Sequence, residues 1–454
     1  MTAAAERSLL SRVLANAGVL LSGKAANAVL SLAYIAVAAR ALGVREVGVL
    51  ILINAFAQLI GEVVKFNAWQ TVLHYGAAPV AEGDRPRFQQ VMRFTLFLDA
   101  VSGLVGVTLA VACALAFGPR LGWTPADSPA AALYGLTILV MAPSTAIGLL
   151  RLFDRFDLIA AQAPVSSVVR LAGSGAALLA GASLTGFLAA WALGTVVAFV
   201  YLAVAAVRET RRRGLLAGFR WRGPMVAGLP GAWRFAWATN LASSLDAAFT
   251  HAITLMVGAL MGPAPAALWR IGRQVADALA KPARLLIPAL YPELARLHVT
   301  EGEGAMRRLA LQVGLIGGGV GVLLLVITAL FGRPLLSLVM GEAFAAAGTV
   351  MTWQVAAAVI GILALPMEPL LVSLGRPGDV VKVRLAVAVI LLAALPAAVS
   401  AWGLTGAGAS LVAAMAALAL GMFAMLQRRA GRATVGAPQE RACADDPAQA
   451  KGGK

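Results

Sequence analysis

Residues 18–76 read GVLLSGKAANAVLSLAYIAVAARALGVREVGVLILINAFAQLIGEVVKFNAWQTVLHYG. Two apolar runs lie here on either side of Ala41-Leu42-Gly43, and each has about the 20 residues that a helix needs to cross a ~30 Å hydrocarbon layer. Polar residues recur inside both runs, but sparsely. The rest of the chain follows the same pattern. Of its 454 residues 60% are hydrophobic and only 13% charged, with a mean hydropathy of +0.84. Soluble domains carry roughly 25% charged residues, and no single water-soluble core hides this much apolar side chain.

The reading is of an all-α polytopic membrane protein with about twelve transmembrane helices. The expected spans are 14–37, 47–69, 91–117, 129–150, 159–180, 184–206, 236–260, 265–290, 309–331, 345–373, 380–400 and 405–426. Gly and Pro within them do not argue against helices, because neighbouring helices re-satisfy the freed backbone groups. The charged N-terminus is followed by no small-residue cleavage site, so a removable signal peptide is not expected. With twelve spans and an inside N-terminus, most of the Lys and Arg fall in inside segments. They include Arg85, Arg87, Arg151, Arg155, the run Arg208, Arg211, Arg212 and Arg213, and Arg307 and Arg308. The outside turns hold Arg40, Arg45, Arg120 and Arg333. That asymmetry places both termini in the cytoplasm. The net charge of +16 is then topology plus attraction to anionic membrane lipid, and nucleic acid is not an expected partner. Cys113 and Cys443 make neither a disulfide framework nor a metal site.

Three short matches recur at an offset of about 220 residues. Ala41-Leu42-Gly43 pairs with Ala259-Leu260-Met261-Gly262, Arg155-Phe156-Asp157 with Arg376-Pro377-Gly378-Asp379, and Leu184-Thr185-Gly186 with Leu404-Thr405-Gly406. An even number of spans per copy makes the copies parallel, and transporter sites lie at such a repeat interface. The domains expected are a six-helix lobe over 1–207, a basic cytoplasmic linker over 208–234 and a second six-helix lobe over 235–427. The tail 428–454 is too polar and too rich in Gly, Ala and Pro to bury a core, which predicts a disordered cytoplasmic segment.

Charged residues inside spans cost at least ~2.5 kcal/mol each at the bilayer centre, so they face a cavity or a partner. In the eighth run Arg270, Arg273, Asp277, Lys281 and Arg284 fall within an arc of about 80°. Asp277 is four residues from both Arg273 and Lys281, so it pairs with either. The second run repeats the device with Asn54, Gln58, Glu62, Lys65 and Trp69. The first run adds Lys24, Asn27 and Ser31, and the seventh adds Asn240, Ser243, Ser244, Thr250 and His251, with Asp246 at its flank. Runs one, two, seven and eight are therefore expected to line one polar cleft shared by both lobes. Snorkelling at span ends is the competing account for Lys24 and Arg284. Glu368, between Pro366 and Pro369, reads equally as a kink residue, and Arg170 and Asp99 read as structurally paired. His74 and His298 read as loop or interface residues. No pair of histidines has metal-ligand spacing, and neither a metal nor a cofactor is expected.

A cleft with surplus cations suits an anionic cargo, phosphate above all. Substrate contacts are expected from Lys24, Lys65, Arg270, Arg273, Lys281, Arg284, Asn54, Gln58, Trp69 and Asn240. Glu62, Asp246, Asp277 and His251 are the candidates for coupling to a proton or sodium ion.

The stretch from Gly18 to Gly76, the segment Leu150-Arg151-Leu152-Phe153-Asp154-Arg155-Phe156-Asp157, and Trp237 to Glu293 resemble bacterial polysaccharide-biosynthesis flippases of the O-antigen type. These belong to the multidrug/oligosaccharidyl-lipid/polysaccharide exporter superfamily. The resemblance implies a V-shaped pair of six-helix lobes in the bacterial inner membrane. It implies a flippase that moves an undecaprenyl-pyrophosphate-linked oligosaccharide to the periplasmic leaflet by alternating access. Cavity cations would hold the pyrophosphate, and a polysaccharide polymerase and export machinery would be its partners. Lipid II flippases share the cationic cavity but have two additional helices. Multidrug extruders depend on cavity carboxylates, which cations outnumber here. A membrane polymerase or ligase needs a large periplasmic loop, and the connection over 118–128 is too short for one. No catalytic residue is expected.

Overall fold

A computed structural model describes residues 3–121, 123–141, 143–223, 225–226, 228–284, 303–374 and 376–433. His298, Cys443 and most of the tail expected to be disordered lie outside them. The helices are α1 (Ala3–Val64), α2 (Ala68–Glu82), α3 (Arg85–Phe117), α4 (Asp127–Gly135), α5 (Ile138–Met141), α6 (Ser144–Leu152), α7 (Phe156–Leu179), α8 (Leu184–Arg212), α9 (Ala232–Met261) and α10 (Pro263–Arg284). They continue with α11 (Glu303–Met340), α12 (Ala347–Ala364), α13 (Met367–Ser373) and α14 (Pro377–Ala433).

Among the described residues six segments are long and apolar enough to cross a membrane: Ser22–Val64, Arg85–Leu121, Leu184–Arg212, Gly304–Met340, Glu342–Val372 and Gly378–Gln427. Of these, Ser22–Val64 has 43 residues and Gly378–Gln427 has 50, which is length for two crossings each. Each is broken at one glycine, Gly43 (φ 77°, ψ 173°) and Gly403 (φ 58°, ψ −140°). Only glycine takes such backbone angles without steric cost. Counting α7, α9, α10 and the α4–α6 series with them gives the expected twelve, in two six-helix repeats.

The repeat is visible in local geometry. Gly262, between α9 and α10, has φ 90° and ψ −179°, close to Gly43 in the first copy. A short 3-10 turn follows the third long helix in both copies, at Gly118–Leu121 and Glu342–Phe344. The fifth helix of each copy begins at an ion pair. Arg155 grips both Asp157 oxygens, Nε to Oδ1 at 3.0 Å and Nη2 to Oδ2 at 2.9 Å, and Arg376 Nε reaches Asp379 Oδ2 at 2.7 Å.

Three expected boundaries change. The second span ends at Val64 rather than at residue 69, because residues 65–67 leave the helix and α2 begins at Ala68. The expected fourth span, 129–150, is three short helices with a 42° bend between its two longer parts. The expected linker 208–234 is shorter, since α8 runs to Arg212 and α9 starts at Ala232. The connection between them is fastened to the first repeat. Gln89 Nε2 donates to the carbonyls of Leu215 and Ala217 at 3.0 and 2.9 Å, Arg93 Nη1 to that of Arg220 at 3.0 Å, and Tyr75 Oη to that of Pro230 at 2.8 Å. The first residues of α9 pack on the same repeat, with Trp237 edge-on to Phe66, Phe235 stacked on His74 and Trp233 edge-on to Phe94.

Candidate functional site

The first repeat encloses a small polar cavity. Gln58 and Glu62 project from consecutive turns of α1, and Lys65 follows one residue past its end. Asp99 and Ser102 face them from α3, and Ile138 and Leu139 of α5 close the far side. Its volume is about 20 Å³, room for a single water. Lys65 Nζ lies 3.3 Å from Glu62 Oε1. Asp99 Oδ2 accepts the Thr145 amide at 2.8 Å, so it satisfies one of the otherwise unpaired amides at the α6 N-terminus. Among the described residues Asp99 has no cationic side chain within 4 Å, and a neighbouring helix serves in its place. Asn54 is also engaged within the repeat, its Oδ1 accepting Tyr134 Oη at 2.9 Å.

The second repeat encloses a much larger cavity, about 460 Å³. Arg273 and Asp277 enter it from α10, joined by Arg273 Nε at 3.3 Å. Glu368 of α13 and Arg384 of α14 line the same space and pair at 2.8 Å. All four are partly exposed, with side-chain accessibilities of 27%, 31%, 32% and 44% in that order. Val387, Leu391 and Leu392 continue from Arg384 along one face of α14 at helical spacing, opposite Leu411, Met415 and Leu418. The kink that presents Glu368 arises at Pro366, where α12 ends and α13 begins.

Contacts between the repeats are close at one end. A methyl group at Gly48 would fall 2.0 Å from the Pro263 carbonyl oxygen, and one at Gly258 would fall 2.3 Å from Leu52. At Gly48 the close atom is backbone, so only glycine allows that approach; at Gly258 it is the end of the Leu52 side chain. Arg40 donates to the carbonyls of Leu338 and Val339 at 2.5 and 3.0 Å, where a cation also meets the negative end of the α11 dipole. Deeper in, Gln274 Nε2 donates to Ser31 Oγ at 2.7 Å.

The sequence-derived candidates therefore divide. Among the described residues Gln58, Glu62 and Lys65 line the first-repeat cavity, and Arg273 and Asp277 the second. Arg270 lies on α10 within electrostatic reach of Tyr34, Asp277 and His251. Lys24 is exposed, and Asn27 accepts Ser167 Oγ at 2.7 Å, which turns it toward α7. Trp69 leaves the stripe altogether, because the helix carrying the stripe has already ended. Its ring lies 4.1 Å under the Arg151 guanidinium, and its amide donates to Ser144 Oγ at 3.0 Å. The side chains of Asn240, Ser243, Ser244, Asp246, Thr250, Lys281 and Arg284 lie outside those described. Arg170, read from the sequence as paired, has no carboxylate within 4 Å among the described residues. It rests against Trp191 and Tyr34 at 5.2 and 5.8 Å and donates to Thr195 Oγ1 at 3.0 Å.

Arg384 and Gln274 had escaped the sequence reading. Arg384 stands two residues after Lys382 at the start of the expected eleventh span, and its distance from Glu368 in sequence hides the pair. At the start of the fifth helix, Arg155 holds the Asp157 carboxyl below the usual carboxylate range and also pairs with Glu209. This cluster is structural and lies away from both cavities. Among the described residues no group of three or more His, Cys, Asp or Glu is placed to hold a metal ion.

No protein-family model matches the sequence. The Escherichia coli (strain K12) inner membrane protein YghQ is 34% identical over 330 residues, covering 72% of this chain and 92% of that protein. Among solved structures, an inward-facing multidrug resistance MATE family transporter of the MOP superfamily superposes with a TM-score of 0.67. It has 13% identity, over 93% of this chain and 100% of that one. The lipid II flippase MurJ in an inward closed conformation gives 0.69 at 8% identity, over 90% and 87%. At these identities the two structural likenesses are of fold.

Proposed function

The chain belongs to the family of the Escherichia coli inner membrane protein YghQ, and from that premise we propose that it is an inner-membrane flippase for a lipid-linked oligosaccharide. The cargo would be an undecaprenyl-pyrophosphate-linked repeat unit of O-antigen, capsule or exopolysaccharide, moved from the cytoplasmic to the periplasmic leaflet. The observation that carries this reading is a cationic helix face, Arg270 and Arg273 on α10, with Arg273 open to a 460 Å³ cavity in a membrane protein. Guanidinium groups match phosphate oxygens two at a time, and a large cavity walled by aliphatic residues suits a lipid carrier. Alternating access by rocking of two lobes, roughly 1–207 and 235–427, would expose that face to each leaflet in turn. Both termini would be cytoplasmic, with a polymerase and export machinery downstream.

The test is complementation of a flippase-null strain. The Arg270→Ala/Arg273→Ala double variant is expected to abolish surface polysaccharide while remaining folded and inserted. Full complementation by that variant would remove the cationic site from the mechanism. Transport into vesicles under imposed pH, sodium or voltage gradients identifies the driving ion. A second reading, export of a cationic drug, draws on the two carboxylates Glu62 and Asp99 in the first-repeat cavity. The salt bridge to Lys65 and a volume of about 20 Å³ weigh against it.

A further inference from the structure

Two ion pairs line the second-repeat cavity. The two arginines come from different helices, and each is occupied by a carboxylate of its own repeat. A partly hydrated ion pair contributes little to stability, so these pairs are weak fastenings. All four side chains remain accessible from the cavity. Arg273 holds Asp277 through one nitrogen at 3.3 Å, a contact weaker than the forked grip that a phosphate offers. From Arg384 a continuous apolar face runs through Val387 to Leu391 and Leu392, two helical turns or roughly 11 Å. The cavity thus has a charged end and an apolar wall, the profile of an amphiphile with an anionic head.

We propose that the second-repeat cavity binds the diphosphate-lipid end of the cargo by counter-ion exchange: Asp277 and Glu368 hold Arg273 and Arg384 in the empty protein, and the diphosphate takes both arginines from them. This rests on the flippase reading, and it adds Glu368 and Arg384 to the binding machinery. The carboxylates are competitive occupants. They keep the arginines extended and compensated while no cargo is present, and they lower affinity enough for release, as a carrier requires. The exchange therefore carries a sign that a fastening role does not: neutralising a carboxylate strengthens binding of the anionic ligand.

The experiment uses the purified full-length protein in detergent and titrates farnesyl diphosphate, with farnesol and inorganic diphosphate as separate arms. The Asp277→Asn/Glu368→Gln variant, close in shape to the parent, is expected to bind farnesyl diphosphate about tenfold more tightly and farnesol unchanged. Arg273→Ala/Arg384→Ala should lose at least tenfold for farnesyl diphosphate, and Arg384→Lys should fall between. Thermal unfolding of each variant confirms that a folded protein is being titrated. If farnesyl diphosphate binds the parent but the carboxylate variant binds no better, the exchange is overturned and the flippase reading stands. If farnesol binds as well as the diphosphate, the charged end plays no part and the inference is wrong. If no isoprenoid diphosphate binds any variant, the cargo reading fails with it.

Discussion

The first repeat closes around Gln58, Glu62, Lys65 and Asp99 until there is room for about one water, whereas the second holds 460 Å³ open around Arg273, Asp277, Glu368 and Arg384. Both copies share the glycine turn, the 3-10 turn after the third helix and the Arg–Asp pair at the fifth. One difference lies in the fourth span. In the first copy it breaks into three pieces, and Ile138, Leu139 and Met141 fill the space beside α1. In the second, α12 runs unbroken for 18 residues before the Pro366 kink, and the small residues Ala357, Ala358 and Gly361 leave the space empty. The cavities also lie between different spans, the first among the second, third and fourth, the second among the seventh, eighth, tenth, eleventh and twelfth.

The largest expected effect would break this comparison if it came out evenly. Arg273→Ala/Arg384→Ala should reduce polysaccharide export more than tenfold in complementation, and Lys65→Ala at most two- to threefold; equal losses would mean that the first cavity is as functional as the second. Next comes the contact between the copies. Gly48→Ala forces a methyl group into the Pro263 carbonyl, an overpacking worth about 1–3 kcal/mol, which should appear as a lower unfolding midpoint in detergent. An unchanged midpoint would show that the repeats separate easily there. The shared turn offers a matched pair. Gly43→Ala and Gly262→Ala should each cost about 1–3 kcal/mol by placing an L-residue at positive φ with extended ψ, a region only glycine adopts freely, and a large difference between them would show that the turns are not equivalent. The smallest effect is at the fifth helix, where Asp157→Asn should cost less than about 1 kcal/mol. The parent's advantage there is present at neutral pH, above the carboxyl's ordinary value. It fades as pH falls through its depressed one, because the unfolded chain then binds the proton more readily. Unfolding midpoints of parent and variant across acidic pH should converge.

Much of the fold was legible because a bilayer imposes one length and one backbone solution on every crossing. The repeat was legible through Gly43 with Gly262 and Arg155 with Arg376, positions where the backbone or a charge pair constrains residue type. The site was legible only as far as one helix. Helical periodicity correctly grouped Arg273 with Asp277 and Gln58 with Glu62, since partners one or two turns apart share a face. It could not show that the two stripes turn inward to separate cavities, because that depends on which helix packs opposite. The Trp69 assignment assumed a helix that continues past Val64, and no Pro or Gly marks the break over Lys65, Phe66 and Asn67. The pairing of Glu368 with Arg384 spans two helices, and local spacing carries no record of it.

One feature of α9 bears on how the halves can move. Its first turns are set among Phe66, His74 and Phe94 of the first repeat, while Val257 packs with Trp269, Leu395 and Leu411 of the second. The helix has 30 residues, so at 1.5 Å per residue it is a rod of about 45 Å, held by the first repeat at its start and packed against both repeats at its far end, where Gly258 also meets Leu52. The connection before it is stitched down and adds no slack. Any rocking of one half against the other is therefore delivered through a stiff shaft, as torsion or bending along α9, and the halves behave as geared parts instead of beads on a string.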